Sequence, residues 1–241
     1  MYNIFMQQFF INEKIDIDTY ISLSSEVTFQ LKKVLRVNDG YEFRLVDCVG
    51  IPYLCEYKDG KAYVKSKIDE NNELDVDITV ILSLIKNDKF DFALQKLTEL
   101  GVTRIVPYKA KRSVVKEGKG TNKLDRFRKI VTEASEQSHR NRIPEICDYA
   151  SFKDLPKYLS DINILAYEKE TNIINDFKSK SITILIGPEG GFETDEVENF
   201  ISMGFNSISL GKRILRAETA AIYLTSIIVG ANQWRLLQWW F

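Results

Sequence analysis

Residues 187–192, Gly187-Pro188-Glu189-Gly190-Gly191-Phe192, set three glycines around a rigid proline. That composition lets backbone N–H and C=O groups approach a ligand closely. The loop follows the apolar run Ile182 to Ile186 and precedes Thr194, a helix-capping residue type, with Asp195 and Glu196 in the first turn. A second loop, Gly211-Lys212-Arg213-Ile214-Leu215-Arg216, follows Ser207 to Leu210 and runs into a helix. A third, Tyr167-Glu168-Lys169-Glu170, follows Ile162 to Ala166. In open α/β sheets, ligands bind beyond the carboxyl ends of strands, where these loops lie. Neither G-x-G-x-x-G nor G-x-x-x-x-G-K-[ST] is present, and the acidic Glu189 would repel a phosphate. The expected ligand of the glycine loop is therefore not an anion. A purely structural Gly-Pro turn has the same spacing, and spacing alone does not separate the two.

Other chemistries are excluded or weak. One histidine, His139, rules out any site needing two imidazoles, and its neighbours Ser138, Arg140, Asn141 and Arg142 suggest a solvated helix end. Three widely spaced cysteines, Cys48, Cys55 and Cys147, form no C-x-x-C pair, so buried inert thiols are expected. No metal site is expected. The net charge of −1 argues against indiscriminate coating of nucleic acid, yet its distribution is uneven. Residues 1–75 carry nine Lys/Arg against thirteen Asp/Glu, whereas 109–129 carry nine basic residues against two acidic ones. The local excess of +7 suits phosphates, with Lys111, Arg112, Lys116 and Arg126 as expected RNA contacts.

The elements that must position these loops follow from patterning. With 241 residues, 44% hydrophobic and 28% charged, the chain has the composition of a folded globular protein. The polar stretch 69–73 marks a boundary, giving expected domains of 1–72 and 73–241. Before it, the alternation at 41–46 and the turn signals at Asn38-Asp39-Gly40 and Lys58-Asp59-Gly60-Lys61 predict a small β-barrel. After it, strands at 78–85, 104–107, 162–166, 182–186 and 207–210 alternate with helices. One helix is capped by Asp88 with Phe90, Ala93, Leu94, Leu97 and Leu100 inward, and ends at Gly101. A second is capped by Thr121, with Leu124, Phe127, Val131 and Ala134 as its inner stripe; two more cover 195–203 and 217–229. This is an α/β domain with a mostly parallel sheet. No run reaches the roughly 18 apolar residues of a membrane span. Residues 1–8 lack the features of a secretory signal, so a cytoplasmic location without membrane partners is expected.

The segments LIGPEGGFE (185–193) and SLGKRILRAETA (209–220) resemble the two S-adenosyl-L-methionine loops of the RsmE-type enzymes. These methylate uridine N3 in small-subunit (16S) ribosomal RNA and belong to the SPOUT, or trefoil-knot, superfamily. Met6-Gln7-Gln8-Phe9-Phe10, Val34-Leu35-Arg36, Gln95 to Gly101 and Glu133 to Arg140 fit the same pattern in order. The resemblance covers most of the chain. It implies a PUA-like β-barrel that helps hold RNA and a knotted methyltransferase domain acting as a homodimer. Leu165, Gly187, Gly190, Gly191, Leu210, Gly211, Ile214 and Leu215 would hold the cofactor, and Arg36 and Arg140 would join the RNA contacts. The family's histidine ahead of its Val-Leu-Arg segment is missing here, where the chain reads Phe29-Gln30-Leu31-Lys32-Lys33. The terminal segment 234–241, with three tryptophans, has no family counterpart, and burial is its default reading.

Uridine N3 is protonated at neutral pH, so methylation needs a base or a cation that stabilises the anion. Arg216 is the candidate for anion stabilisation and Glu189 the candidate base. Phosphate binding by Arg216 and loop hydrogen bonding by Glu189 are the competing roles. A ribose 2′-O-methyltransferase of the same superfamily and a non-catalytic RNA-binding module remain as alternative functions.

Overall fold

The computed structural model describes residues 6–113, 122–172 and 176–233. Lys116, Thr121 and the segment 234–241 lie outside the described residues. Two compact units are present. The first holds the chain up to Glu73 together with Ser135–Arg142, and the second holds Leu74–Ala134 and the chain from Ile143 onward. Segment 135–142 thus groups with the chain before residue 74, although it lies about sixty residues further on.

In the first unit, strands β1 (Gln8–Phe10), β2 (Tyr20–Ser22), β3 (Glu42–Val46), β4 (Pro52–Lys58) and β5 (Lys61–Lys67) form one sheet in the order β1-β3-β4-β5-β2. β1 pairs parallel to β3 and the other pairings are antiparallel, so the sheet is mixed and curls into a half-barrel. Asp59 (φ 49°) and Gly60 (φ 80°) turn β4 into β5, the two successive positive φ angles of a tight hairpin. Alternate residues Phe43, Leu45, Cys55, Tyr57, Ala62 and Val64 point into one core with Leu31. Leu31 arrives from helix α1 (Ser25–Phe29), capped by the Ser24 side chain, and from the π-helical turn Gln30–Val34 that continues it.

Segment 135–142 is held within this unit by buried polar bonds. The Arg140 guanidinium meets Glu73 at 2.6 Å, and each side chain is only 4% exposed. Gln8 donates to the Arg140 carbonyl at 2.7 Å. His139 is half-buried, its Nε2 2.9 Å from the Met6 carbonyl. It is not the solvated helix-end residue that its polar neighbours suggested.

The second unit is a six-stranded, wholly parallel sheet. Its strands are β6 (Asp77–Ser83), β7 (Arg104–Tyr108), β8 (Glu145–Ile146), β9 (Ile162–Ala166), β10 (Ser181–Ile186) and β11 (Asn206–Ile208), in the order β11-β9-β10-β6-β7-β8. Both faces are covered, as the near-continuous apolar strands require. Ile78, Val80, Leu82, Ile182, Ile184 and Ile186 pack on one face against α2 (Asn87–Glu99), α3 (Asn122–Gln137) and α5 (Ala217–Gln233). Ile81, Val106, Leu165 and Leu185 face the other way, toward Phe192, α4 (Thr194–Ser202) and the 3₁₀ turn Phe152–Tyr158.

Helix ends differ from expectation in two places. Asp88 sits in the first turn of α2, whose N-cap is Lys86. Glu193, not Thr194, caps α4 through a reciprocal box with Glu196. Gly101, with φ of 89°, ends α2 in the left-handed conformation glycine tolerates. Among the described residues, no helix is long and apolar enough to cross a membrane.

Candidate active site

Strands β9, β10 and β11 are neighbours, and their register sets the site. Ala166 pairs with Ile186 on one side and Ile208 on the other, so three loops leave one edge of the sheet at the same level. Between them lies a cleft of about 430 Å³. That is within the usual range for small-molecule sites. Gly187, Gly190, Gly191, Leu210, Gly211, Ile214 and Leu215 all line it, as do Arg216 and Glu189. Leu165 does not. Its side chain is fully buried in the core on the α4 face, because strand alternation turns it away from the cleft. Ala166, Tyr167 and Glu168 line the wall in its place.

The glycine loop is pinned at one end and adaptable in the middle. Phe192 is buried against Phe200, ring centroids 5.0 Å apart, which anchors the loop to α4. Gly191 has φ of 67°, and a Cβ there would stand 2.8 Å from Oε1 of Glu168. Glu168 therefore leans directly over the loop, inside the cleft. The Tyr167–Glu170 turn was recognised from its place after a strand, but nothing local distinguished Glu168 from Glu170. Glu170 turns aside to bond Ser207, and that bond, with the N–H groups of Thr171 and Asn172, lowers its pKa.

Glu189 is exposed and accepts a hydrogen bond from the Lys86 N–H at 3.2 Å. Arg216 is exposed immediately before α5, and its carbonyl accepts the Ala220 N–H at 2.8 Å to start the helix. A cation at a helix N-terminus opposes the helix dipole. Among the described residues, no carboxylate lies within salt-bridge distance of Arg216. Its guanidinium is thus free to meet charge that arrives with a ligand.

The residues expected on RNA differ in their surroundings. Lys111 bonds Asp195 and Glu193, which raises its pKa and lowers that of Asp195. Arg112 reaches the Gly190 carbonyl at 3.3 Å and lies 3.6 Å from Glu193. Arg126 pairs with Asp91. Arg36 is exposed after the π-helical turn, with φ of 55°. Arg140, buried at 3% exposure and committed to Glu73, is a structural cation and not a surface contact. Of the cysteines, Cys55 and Cys147 are buried as expected, but Cys48 is exposed. Among the described residues, no cluster of His, Cys, Asp or Glu could hold a metal ion.

Residues 72–229 match the RNA methyltransferase domain family. A Bacillus subtilis protein named ribosomal RNA small subunit methyltransferase E is 34% identical, over 92% of this chain and 96% of its own. The crystal structure of a ribosomal RNA small subunit methyltransferase E from Neisseria gonorrhoeae bound to S-adenosyl methionine superposes with a TM-score of 0.86 at 29% identity, over 92% of this chain and 96% of that one. A putative methyltransferase from Legionella pneumophila, also with bound cofactor, superposes with a TM-score of 0.87 at 25% identity, over 94% and 98%. Full-length similarity in sequence and in architecture thus coincides with the loop motifs, and the chain belongs to the RsmE family of small-subunit ribosomal RNA methyltransferases.

Proposed function

We propose that this chain transfers a methyl group from S-adenosyl-L-methionine to N3 of a uridine in 16S ribosomal RNA, and that it does so as a homodimer. The observation that carries the reading is the cleft where three loops converge at the ends of β9, β10 and β11, in a family whose solved relatives hold this cofactor.

The residues present fit the cofactor. Ile186, Leu210, Ile214, Leu215 and Ala220 offer apolar surface for an adenine ring, and the glycine loop offers backbone groups at close range. Glu168 brings a carboxylate into the cleft, opposite in sign to a sulfonium or an ammonium. When bound, the cofactor supplies an electrophilic methyl group.

Everything else falls to the chain. Positioning the nucleophile in line supplies much of the acceleration. Uridine N3 lies on the pairing edge, so the base must be unpaired or turned out to reach the cleft. Its proton must leave, to solvent water, and the negative charge then spreads to O2 and O4. Arg216 stabilises that charge electrostatically. Glu189, whose carboxylate accepts a backbone N–H, holds the loop in shape. Exposed Tyr223 (46%) on α5, outside the cleft, supplies apolar surface of the kind buried between subunits.

The test is methyl incorporation from labelled cofactor into small-subunit RNA by the purified protein. Incorporation that depends on Arg216 supports the reading. A protein that binds RNA but neither binds nor consumes the cofactor would be a non-catalytic module.

A further inference from the structure

We infer that Arg112 is a positioning residue for the glycine loop and thereby sets affinity for the cofactor. This rests on reading the cleft as the S-adenosylmethionine site. Charge alone places Arg112 among the phosphate-binding candidates of the basic run. Its geometry places it elsewhere.

Arg112 spans the exit of the glycine loop. Its Nη1 donates to the Gly190 carbonyl at 3.3 Å, and its Nε lies 3.6 Å from Oε1 of Glu193, the N-cap of α4. A Cβ built on Gly190 would stand 3.3 Å from the Arg112 Cβ, so the arginine stem closes the outer side of the loop. The backbone that delivers it is itself fixed. The preceding Lys111 donates its N–H at 3.0 Å to Glu196, whose carboxylate is buried and also accepts the Glu193 N–H at 3.0 Å. Gly190 and Gly191 are adjacent glycines, a residue type with wide backbone freedom, and freedom lost on binding costs affinity. Arg112 removes part of that freedom in advance.

The sign of the effect separates this role from a general electrostatic one. S-adenosylmethionine carries a sulfonium and an ammonium against one carboxylate. Removing a nearby cation would, by charge alone, tighten its binding. Loss of a loop brace weakens it. A phosphate contact predicts no change in cofactor affinity at all.

The experiment is calorimetric titration of S-adenosylmethionine into wild type, Arg112→Ala, Arg112→Lys and Arg126→Ala, with steady-state methylation alongside. Arg112→Ala is expected to bind roughly fivefold to tenfold more weakly, the effect of a charged hydrogen bond discounted for exposure. Its KM for cofactor should rise by the same factor while kcat stays within about twofold of wild type. Arg112→Lys keeps the charge and one donor and should recover most of the loss. Arg126→Ala, which breaks a pair with Asp91 on α2 and not a bond to the glycine loop, should bind as wild type does. Unchanged or tighter binding by Arg112→Ala overturns the inference, as does an equal loss in Arg126→Ala or no recovery in Arg112→Lys. Absence of binding by the wild type contradicts the cofactor reading itself, and the inference falls with it.

Discussion

The Glu189 carboxylate accepts the backbone N–H of Lys86 at 3.2 Å, joining the glycine loop after β10 to the start of α2 after β6. The two strands are direct neighbours in the sheet. The bond therefore ties adjacent loop exits together and engages one of the two carboxylate oxygens. Glutamine keeps an acceptor at that position but cannot take a proton. Glu189→Gln is expected to retain kcat within about threefold, whereas Glu189→Ala should lose cofactor affinity by several-fold, on the order of one hydrogen bond. Single-turnover methylation and cofactor titration check both. A drop of about a hundredfold or more in kcat for Glu189→Gln would restore it as the base.

Arg140 and Glu73 form a pair in which each side chain is only 4% exposed, and Glu73 also accepts the Asn141 N–H at 2.9 Å. Removing one partner strands a buried charge. Arg140→Ala should destabilise the protein by roughly 3 kcal/mol, seen as a shifted midpoint in chemical denaturation. Weakened RNA binding with unchanged stability would contradict this.

How far such features could be read in advance depended on how local their causes are. The glycine loop was legible because Gly-Pro-Glu-Gly-Gly directly follows a β-branched run, and both signals lie within ten residues. The parallel sheet was legible for the same reason. Arg140 was not, because its environment is made by Gln8 and Glu73, 132 and 67 positions away. The surroundings of the basic run were equally hidden. Lys111 finds Glu193 and Asp195, 82 and 84 positions on, and no local pattern reports that pairing. Strands β1, β2 and β8 hold only two or three residues, too few for a period of two to register. The direction of the Leu165 side chain was not legible either, because one step along a strand turns a side chain to the opposite face.

Burial pushes the Cys55 thiol up to about 12 and, less strongly, Cys147 up to about 11, while Cys48 is exposed. The thiolate is the reactive form. In native protein at about pH 8, one thiol of the three should react promptly with an aromatic disulfide reagent, and Cys48→Ser should abolish that fast phase. A second fast equivalent would contradict the packing of one core, and a third that of both.

The Lys111 hydrogen bond lowers the pKa of Asp195 below the ordinary carboxylate value. The stabilisation is therefore present above the unfolded pKa of about 4 and is lost as pH falls through the depressed folded value. Lys111 is shifted upward, mainly by Asp195 and then Glu193, so its share persists until pH rises through its raised pKa. The difference in melting temperature between wild type and Lys111→Met should be flat from about pH 5 to 9 and shrink below about pH 4. A difference that grows in acid would reverse the assignment.

The cleft at the ends of β9, β10 and β11 is proposed to direct a methyl group to uridine N3. The direct measurement is chromatography and mass analysis of nucleosides from 16S ribosomal RNA after reaction with wild type and with Arg216→Ala. Wild type is expected to give one new N3-methyluridine, formed more slowly by Arg216→Ala by roughly a hundredfold in single turnover, the scale of one lost electrostatic donor. A 2′-O-methylated nucleoside, or N3-methyluridine formed equally fast by Arg216→Ala, would contradict it.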